Sequence, residues 1–226
     1  MPVSQNCRLY AITPPKFELL EFIPQVEEAF AAGDIACLQL RLKEASDDEI
    51  REAAKALQPI CRAHNAAFVV NDSLEIALEV GADGVHLGQE DLEGTSVKAI
   101  AEQLPEGMIL GVTCHASNHL AMEAGEQGAA YVAFGAFYET TSKPKEKLEK
   151  WGTPTPDLLE GWTMFTTVPC VAIGGITPYN CKPLVQAGAD FIAVITGIWN
   201  HPQGAGAGVE AYHTAIQEAL AAGAVA

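Results

Sequence analysis

Gly81-Ala82-Asp83-Gly84-Val85 ends one helical segment and opens a strand, and the same joint appears three more times. A glycine, a small or acidic residue and an apolar run recur at Gly33-Asp34-Ile35-Ala36, Gly128-Ala129-Ala130-Tyr131-Val132 and Gly188-Ala189-Asp190-Phe191-Ile192. Glycine takes left-handed backbone past the last helical turn without a Cβ penalty, so each copy marks a helix giving way to a strand. The first two intervals are nearly equal and the third is about a dozen residues longer, as a repeat of paired βα units with one insertion would give.

Working outward from these joints, β-rich apolar runs fall at Leu9–Thr13, Ala36–Arg41, Ala67–Asn71, Gly84–Leu87, Met108–Val112, Ala130–Gly135, Pro169–Gly174 and Phe191–Thr196. Helix-period segments lie between them, among them Asp47–His64, opened by Ser46, and Pro178–Ala187, opened by Thr177 with Pro178 in the first turn. Strictly alternating strands and helices predict a parallel sheet, and eight units let it close as a (β/α)8 TIM barrel with residues 1–226 in one domain. The insertion falls after strand six, where 139–156 is polar and lysine-rich and reads as a long loop. An open doubly wound sheet is the rival, but Ala11-Ile12-Thr13-Pro14-Pro15 lacks the glycine loop that such folds place after the first strand.

Composition narrows the partners. Lys+Arg 13 against Asp+Glu 29 gives a formal charge of -16, which argues against nucleic acid and anionic membrane surfaces, since both select basic proteins. The six cysteines (Cys7, Cys37, Cys61, Cys114, Cys170, Cys181) form no CxxC pair and sit in apolar runs, so they read as buried reduced thiols. The N-terminal residues lack a basic region followed by an apolar segment, and no run is apolar for long enough to span a bilayer. The expected setting is cytoplasmic, with phosphorylated small molecules as partners; the sequence leaves oligomeric state open and a homo-oligomer allowed.

In a closed parallel barrel, chemistry sits at the C-terminal ends of the strands. Leu38-Gln39-Leu40-Arg41-Leu42-Lys43 alternates strictly, which sends the leucines to the helices and Gln39, Arg41 and Lys43 to the mouth. Arg41 can fork onto phosphate oxygens and Lys43 adds a point charge. Strand three ends at Asn71-Asp72, and His86-Leu87-Gly88-Gln89-Glu90-Asp91 follows strand four. Asp72 and Asp91 at neighbouring strand ends could share a Mg2+, a hard cation that takes oxygen ligands. Taken singly, Asp72 could instead cap a helix and Asp91 serve a turn.

Strand five ends in Thr113-Cys114-His115, with Thr113 and His115 facing a substrate and Cys114 facing away. His115 and His119 are spaced as metal ligands but lack the glutamate of the zinc-protease motif, and a capping role is the preferred reading. Thr140, Ser142 and Lys143 could close over a phosphorylated substrate, whereas Lys145, Lys147 and Lys150 read as solvated. Gly174-Gly175 and Ile195-Thr196-Gly197, after strands seven and eight, match the usual barrel phosphate site, with a short helix near Ile198-Trp199-Asn200.

In this order these residues resemble the thiamine phosphate synthase family along nearly the whole chain. The most specific piece is Ala82-Asp83-Gly84-Val85-His86-Leu87-Gly88-Gln89-Glu90-Asp91-Leu92, joined to Gln39-x-Arg41-x-Lys43, Asn71-Asp72, Gly111-Val112-Thr113-x-His115, Thr140-x-Ser142-Lys143 and Ala172-Ile173-Gly174-Gly175-Ile176. The resemblance implies a transferase of thiamine biosynthesis that condenses hydroxymethylpyrimidine pyrophosphate with a thiazole phosphate, or its carboxylate, and releases pyrophosphate. It further implies Mg2+ on Asp72 and Asp91, and the pyrimidine pyrophosphate on Gln39, Arg41, Lys43, Asn71, Thr113 and Lys143. Arg41, Lys43 and Lys143 would act on the departing pyrophosphate, and Thr140, Ser142, Gly175, Ile195 and Thr196 would hold the thiazole phosphate.

Leu42, Thr113, Glu139, Ser142 and Thr196 depart from the family's commoner choices while keeping the needed polar group or lying beside it. Three rivals remain: a thiazole tautomerase paralogue that needs no pyrophosphate-binding metal pair, a Schiff-base aldolase using Lys43, and a non-catalytic phosphate-ester binding barrel.

Overall fold

The chain begins its ordered alternation with β1 (Arg8–Ile12), α1 (Leu19–Ala32), β2 (Ile35–Leu40) and α2 (Asp47–Ala63). It continues through β3 (Ala67–Asn71), α3 (Leu74–Glu79), β4 (Gly84–Leu87), α4 (Val97–Ala101), β5 (Ile109–His115), α5 (Asn118–Glu126) and β6 (Tyr131–Gly135). After these come α6 (Pro156–Phe165), β7 (Cys170–Ile173), α7 (Lys182–Gln186), β8 (Phe191–Val194), α8 (Thr196–Trp199) and α9 (Ala205–Gly223). This computed structural model describes residues 6–92, 94–140 and 150–223. Every strand pairs in parallel with its sequence neighbour, and β8 returns to β1, closing the (β/α)8 barrel.

Two apolar layers make the core. Leu38 and Leu40 of β2 join the helices in the outer layer, while Tyr10, Ile12, Cys37, Val69, Tyr131, Ala133, Val171 and Ala193 fill the inside of the barrel. All six residues of β2 are buried because a strand in such a barrel is covered on both faces. The six cysteines are likewise buried and unbridged. Among the described residues no helix is long and apolar enough to cross a membrane.

The recurring joints have a physical basis. Gly81, Gly128 and Gly188 take φ of 63°, 106° and 94°, the left-handed turn that ends a helix. Gly33 differs, with extended backbone at φ 172°. There a Cβ would lie 2.7 Å from the His213 ring, so close approach explains that glycine. The acidic residue of the joint ties the bottoms of adjacent strands together. Asp83 Oδ2 accepts from Phe68 N at 2.8 Å, and Asp190 Oδ2 accepts from Cys170 N at 2.8 Å.

Several element boundaries differ from the sequence expectation. The helix expected over Pro178–Ala187 is α7, which starts at Lys182. Pro183 has no N–H and would interrupt a helix begun at Pro178, so 178–180 form a separate turn closed by Cys181 N on Thr177 O. Thr177 is therefore not its cap. β2 stops at Leu40, because Arg41 N turns to Thr13 Oγ1 at 2.9 Å. β8 stops at Val194, and Thr196 already belongs to α8. Of the loop expected over 139–156, Lys150 and Trp151 are helical, Pro156 already opens α6, and 141–149 lie outside the described residues.

Candidate active site

β2, β3, β4 and β5 point their C-terminal ends into one cavity of about 960 Å³. Its walls include Gln39, Arg41, Lys43, Asn71, Asp72, Asp91 and Thr113, and across from them Thr140, Gly175, Ile195 and Thr196. The structure thus brings eleven of the thirteen residues singled out from sequence to one rim. The other two, Ser142 and Lys143, lie outside the described residues.

The floor on the β2–β5 side is a set of matched polar groups. Gln39 is 3% exposed and its Nε2 donates to Asn71 Oδ1 at 2.9 Å, which fixes both amides. Arg41 stands half-buried above them, and burial pushes its guanidinium pKa down while Asp72 opposes that shift. Lys43 Nζ is ion-paired with Asp72 Oδ2, an arrangement suited to charge rather than to nucleophilic attack on a carbonyl. Asp72 sits at φ 66°, left-handed backbone at the end of β3. It is not the cap of α3, since Ser73 Oγ accepts from Ile76 N at 3.2 Å.

Asp91 accepts from Gly88 N at 2.7 Å, so it does brace its own turn as well as facing the cavity. The side chain keeps an exposed edge, yet burial of the rest raises its carboxyl above the usual range. The Gly88 N–H lowers it, and the neighbouring Asp72 raises it again. Among the described residues no group of three or more His, Cys, Asp or Glu is assembled for a metal. Asp91, its proton affinity raised by burial and by the nearby Asp72 carboxylate, nevertheless forms with Asp72 a pair of oxygen donors that fits a hard divalent cation keeping waters and ligand phosphate in its remaining positions.

On the opposite side, Gly174 and Gly175 take φ of 105° and 62°. A Cβ on Gly175 would collide with the Glu139 carbonyl, so only glycine lets β7's exit loop pass under that strand-six loop. Asn180 Nδ2 donates to Gly175 O at 3.1 Å and holds the loop. The first turn of α8 opens at Ile195 with no side-chain cap, which leaves its backbone amides to the cavity.

Thr113 and His115, two apart on one face of β5, both line the cavity, and Cys114 between them is buried on the other face with its thiol pushed up to about 12. An irregular register between Thr113 and His115, with φ 54° at His115, turns the strand end inward. His115 stacks on Trp151 with ring centroids 4.5 Å apart. His119 faces outward to Glu123 at 3.6 Å, and Ser117 rather than a histidine caps α5.

Sequence reasoning leaves His86, Gln89 and Trp151 without a role, yet all three line the cavity. His86 alternates with the buried Val85 and Leu87 of β4, and that period sends it into the barrel. No comparable signal marks Trp151, because it lies in a stretch without apolar periodicity.

The family model described as thiamine monophosphate synthase matches residues 9–198. This chain belongs to that family. It is 48% identical over 213 residues to the thiamine-phosphate synthase of Rhodospirillum centenum, covering 94% of this chain and 99% of that one. It is 50% identical over 196 residues to the thiamine-phosphate synthase of Erythrobacter litoralis, covering 85% and 88%. Among solved structures, the thiamine phosphate pyrophosphorylase from Pyrococcus furiosus superposes with a TM-score of 0.80 at 30% identity, covering 96% of this chain and 98% of that one. As a thiamine-phosphate synthase family member the chain carries its polar residues on one strand-end rim, between a cationic and carboxylate side and a glycine-rich side.

Proposed function

We propose that this enzyme acts as a thiamine-phosphate synthase, joining hydroxymethylpyrimidine pyrophosphate to a thiazole phosphate with release of pyrophosphate. The bond between the pyrimidine methylene and the pyrophosphate oxygen breaks, with the electron pair leaving on oxygen. The thiazole nitrogen lone pair then forms the new carbon–nitrogen bond. Catalysis on this reading needs charge stabilisation and alignment, and no side-chain nucleophile.

The observation that carries the reading is that Arg41, Lys43, Asp72 and Asp91 share one 960 Å³ cavity with Gly175, Ile195 and Thr196. Arg41 binds the pyrophosphate through its planar fork, and its partial burial strengthens that contact by excluding water. Lys43 and Lys143 add point charges. Asp72 and Asp91 would hold Mg2+, which when bound supplies positive charge to the departing pyrophosphate. Gln39, Asn71 and Thr113 hold the pyrimidine ring; the Gln39–Asn71 hydrogen bond sets the direction of both amides before substrate arrives. Thr140, Ser142 and the backbone amides near Gly175, Ile195 and Thr196 take the thiazole phosphate and leave its ring free to face the methylene carbon.

Mixing both substrates with the protein and Mg2+ tests this directly. Thiamine phosphate and pyrophosphate should appear in equal amounts. Binding of both substrates without either product would reduce the protein to a phosphate-ester binding barrel.

A further inference from the structure

Inside the barrel, beneath the cavity floor, four polar side chains from four strands form a continuous line. Tyr10 OH lies 2.8 Å from Tyr131 OH, Tyr131 OH lies 2.8 Å from His86 Nδ1, and His86 Nε2 lies 2.8 Å from Thr113 Oγ1. Tyr10, Tyr131 and His86 are buried, and His86 and Thr113 form the end of the line that meets the cavity. Nothing in the reaction chemistry above uses the two tyrosines.

Such a line has two directions, because each hydroxyl and the neutral imidazole carries one hydrogen. In one direction Thr113 donates to Nε2, Nδ1–H donates to Tyr131, and Tyr131 donates to Tyr10. The Tyr10 hydroxyl is then left to donate elsewhere, and besides Tyr131 its polar neighbour is the Cys37 thiol, a weak acceptor. A buried O–H without a good acceptor is costly. In the other direction Tyr10 donates to Tyr131, Tyr131 donates to Nδ1, and Nε2–H donates to Thr113. Every hydrogen inside the line then has an oxygen or nitrogen acceptor, and the Thr113 hydrogen is left to face the cavity. A doubly protonated ring would force the same poor end at Tyr10.

We infer that Tyr10, Tyr131 and His86 are positioning residues that hold His86 as its neutral Nε2–H tautomer, so that Thr113 keeps its hydroxyl hydrogen free to donate to the substrate ring. That hydrogen needs an acceptor, which a ring-nitrogen lone pair of an aminopyrimidine supplies and an amino group at the same place does not. The inference rests on the pyrimidine-binding reading of Thr113 for its ligand, but its tautomer is a property of the protein alone.

Long-range proton–nitrogen NMR correlation on the free protein at neutral pH reads which imidazole nitrogen carries hydrogen, with His86→Asn assigning the signals. The expected pattern is Nε2–H with bare Nδ1; an Nδ1–H tautomer or a doubly protonated ring overturns the proposal even if the enzyme is fully active. Tyr10→Phe should keep the Nε2–H pattern, since Tyr131 still has only Nδ1 to donate to. Tyr131→Phe removes the donor to Nδ1 and should mix the tautomers. In the assay Tyr131→Phe should raise KM for the pyrimidine pyrophosphate about tenfold, the scale of one lost directed hydrogen bond, with KM for the thiazole phosphate unchanged. Equal losses for both substrates, or a wild-type tautomer pattern in Tyr131→Phe, would also overturn it.

Discussion

Replacing Asp91 by asparagine separates what its carboxylate costs from what it does. Asparagine can still accept from Gly88 N, but it removes the charge that partial burial and Asp72 disfavour. A carboxyl with a raised folded-state pKa binds its proton more tightly in the folded chain than in the unfolded one. Stability therefore falls as pH climbs from the ordinary carboxylate value, 3.8, through the raised one. Without metal, Asp91→Asn should melt higher than the parent at neutral pH, and the advantage should vanish below about pH 3, where both states are protonated; thermal melts across that range check the sign. Arg41→Lys keeps one charge and loses the fork, so kcat/KM should drop about 10- to 100-fold. Steady-state kinetics at saturating thiazole phosphate measure it, and a value near the parent's would remove the bidentate role.

At the scale of elements, Ser46 and Glu49 close the N-terminus of α2 from both sides. Ser46 N donates to Glu49 Oε2 at 2.7 Å, and Glu49 N donates to Ser46 Oγ at 3.3 Å. Ser46→Ala should cost about 1 kcal/mol of stability in denaturant titration and leave kcat/KM unchanged, because the box serves only the helix. Gly175→Ala should do the reverse of a surface change. Its Cβ would meet the Glu139 carbonyl and force left-handed backbone on a residue that resists it, so thiazole-phosphate binding should weaken at least tenfold. Calorimetry with that substrate alone reads the loss.

Elements also decide what is legible in the sequence. The period of two in β2 turns Gln39 inward because leucines at 38 and 40 must meet the helices, while Arg41 and Lys43, expected from the same alternation, reach the cavity from the loop that follows the strand. His86 obeys the same period, yet four residues of β4 carry it with little contrast, and its partner Tyr131 comes from a strand far away in sequence. The start of α7 is ambiguous in sequence because Pro178 and Pro183 both suit a first turn, and only the missing N–H of the second decides between them. Trp151 sits in a polar stretch where neither period applies.

For the whole molecule, a formal charge of -16 surrounds a site that must receive anions. Arg41 and Lys43 face that field together with two carboxylates, and one of those carboxylates already occupies Lys43. On the proposed reading the balance would turn favourable for a pyrophosphate with a divalent cation held by Asp72 and Asp91, and Lys43 would then be released to meet the substrate. Turnover of both substrates should then require added divalent metal. The decisive measurement compares thiamine phosphate formation by the parent and by Asp91→Ala, each stripped with chelator and titrated with Mg2+. The parent should recover fully with Mg2+ while the folded variant stays at least a hundredfold slower at every concentration, a gap of about 2.7 kcal/mol. Equal metal titration curves for the two proteins, or full turnover in chelator, would contradict it.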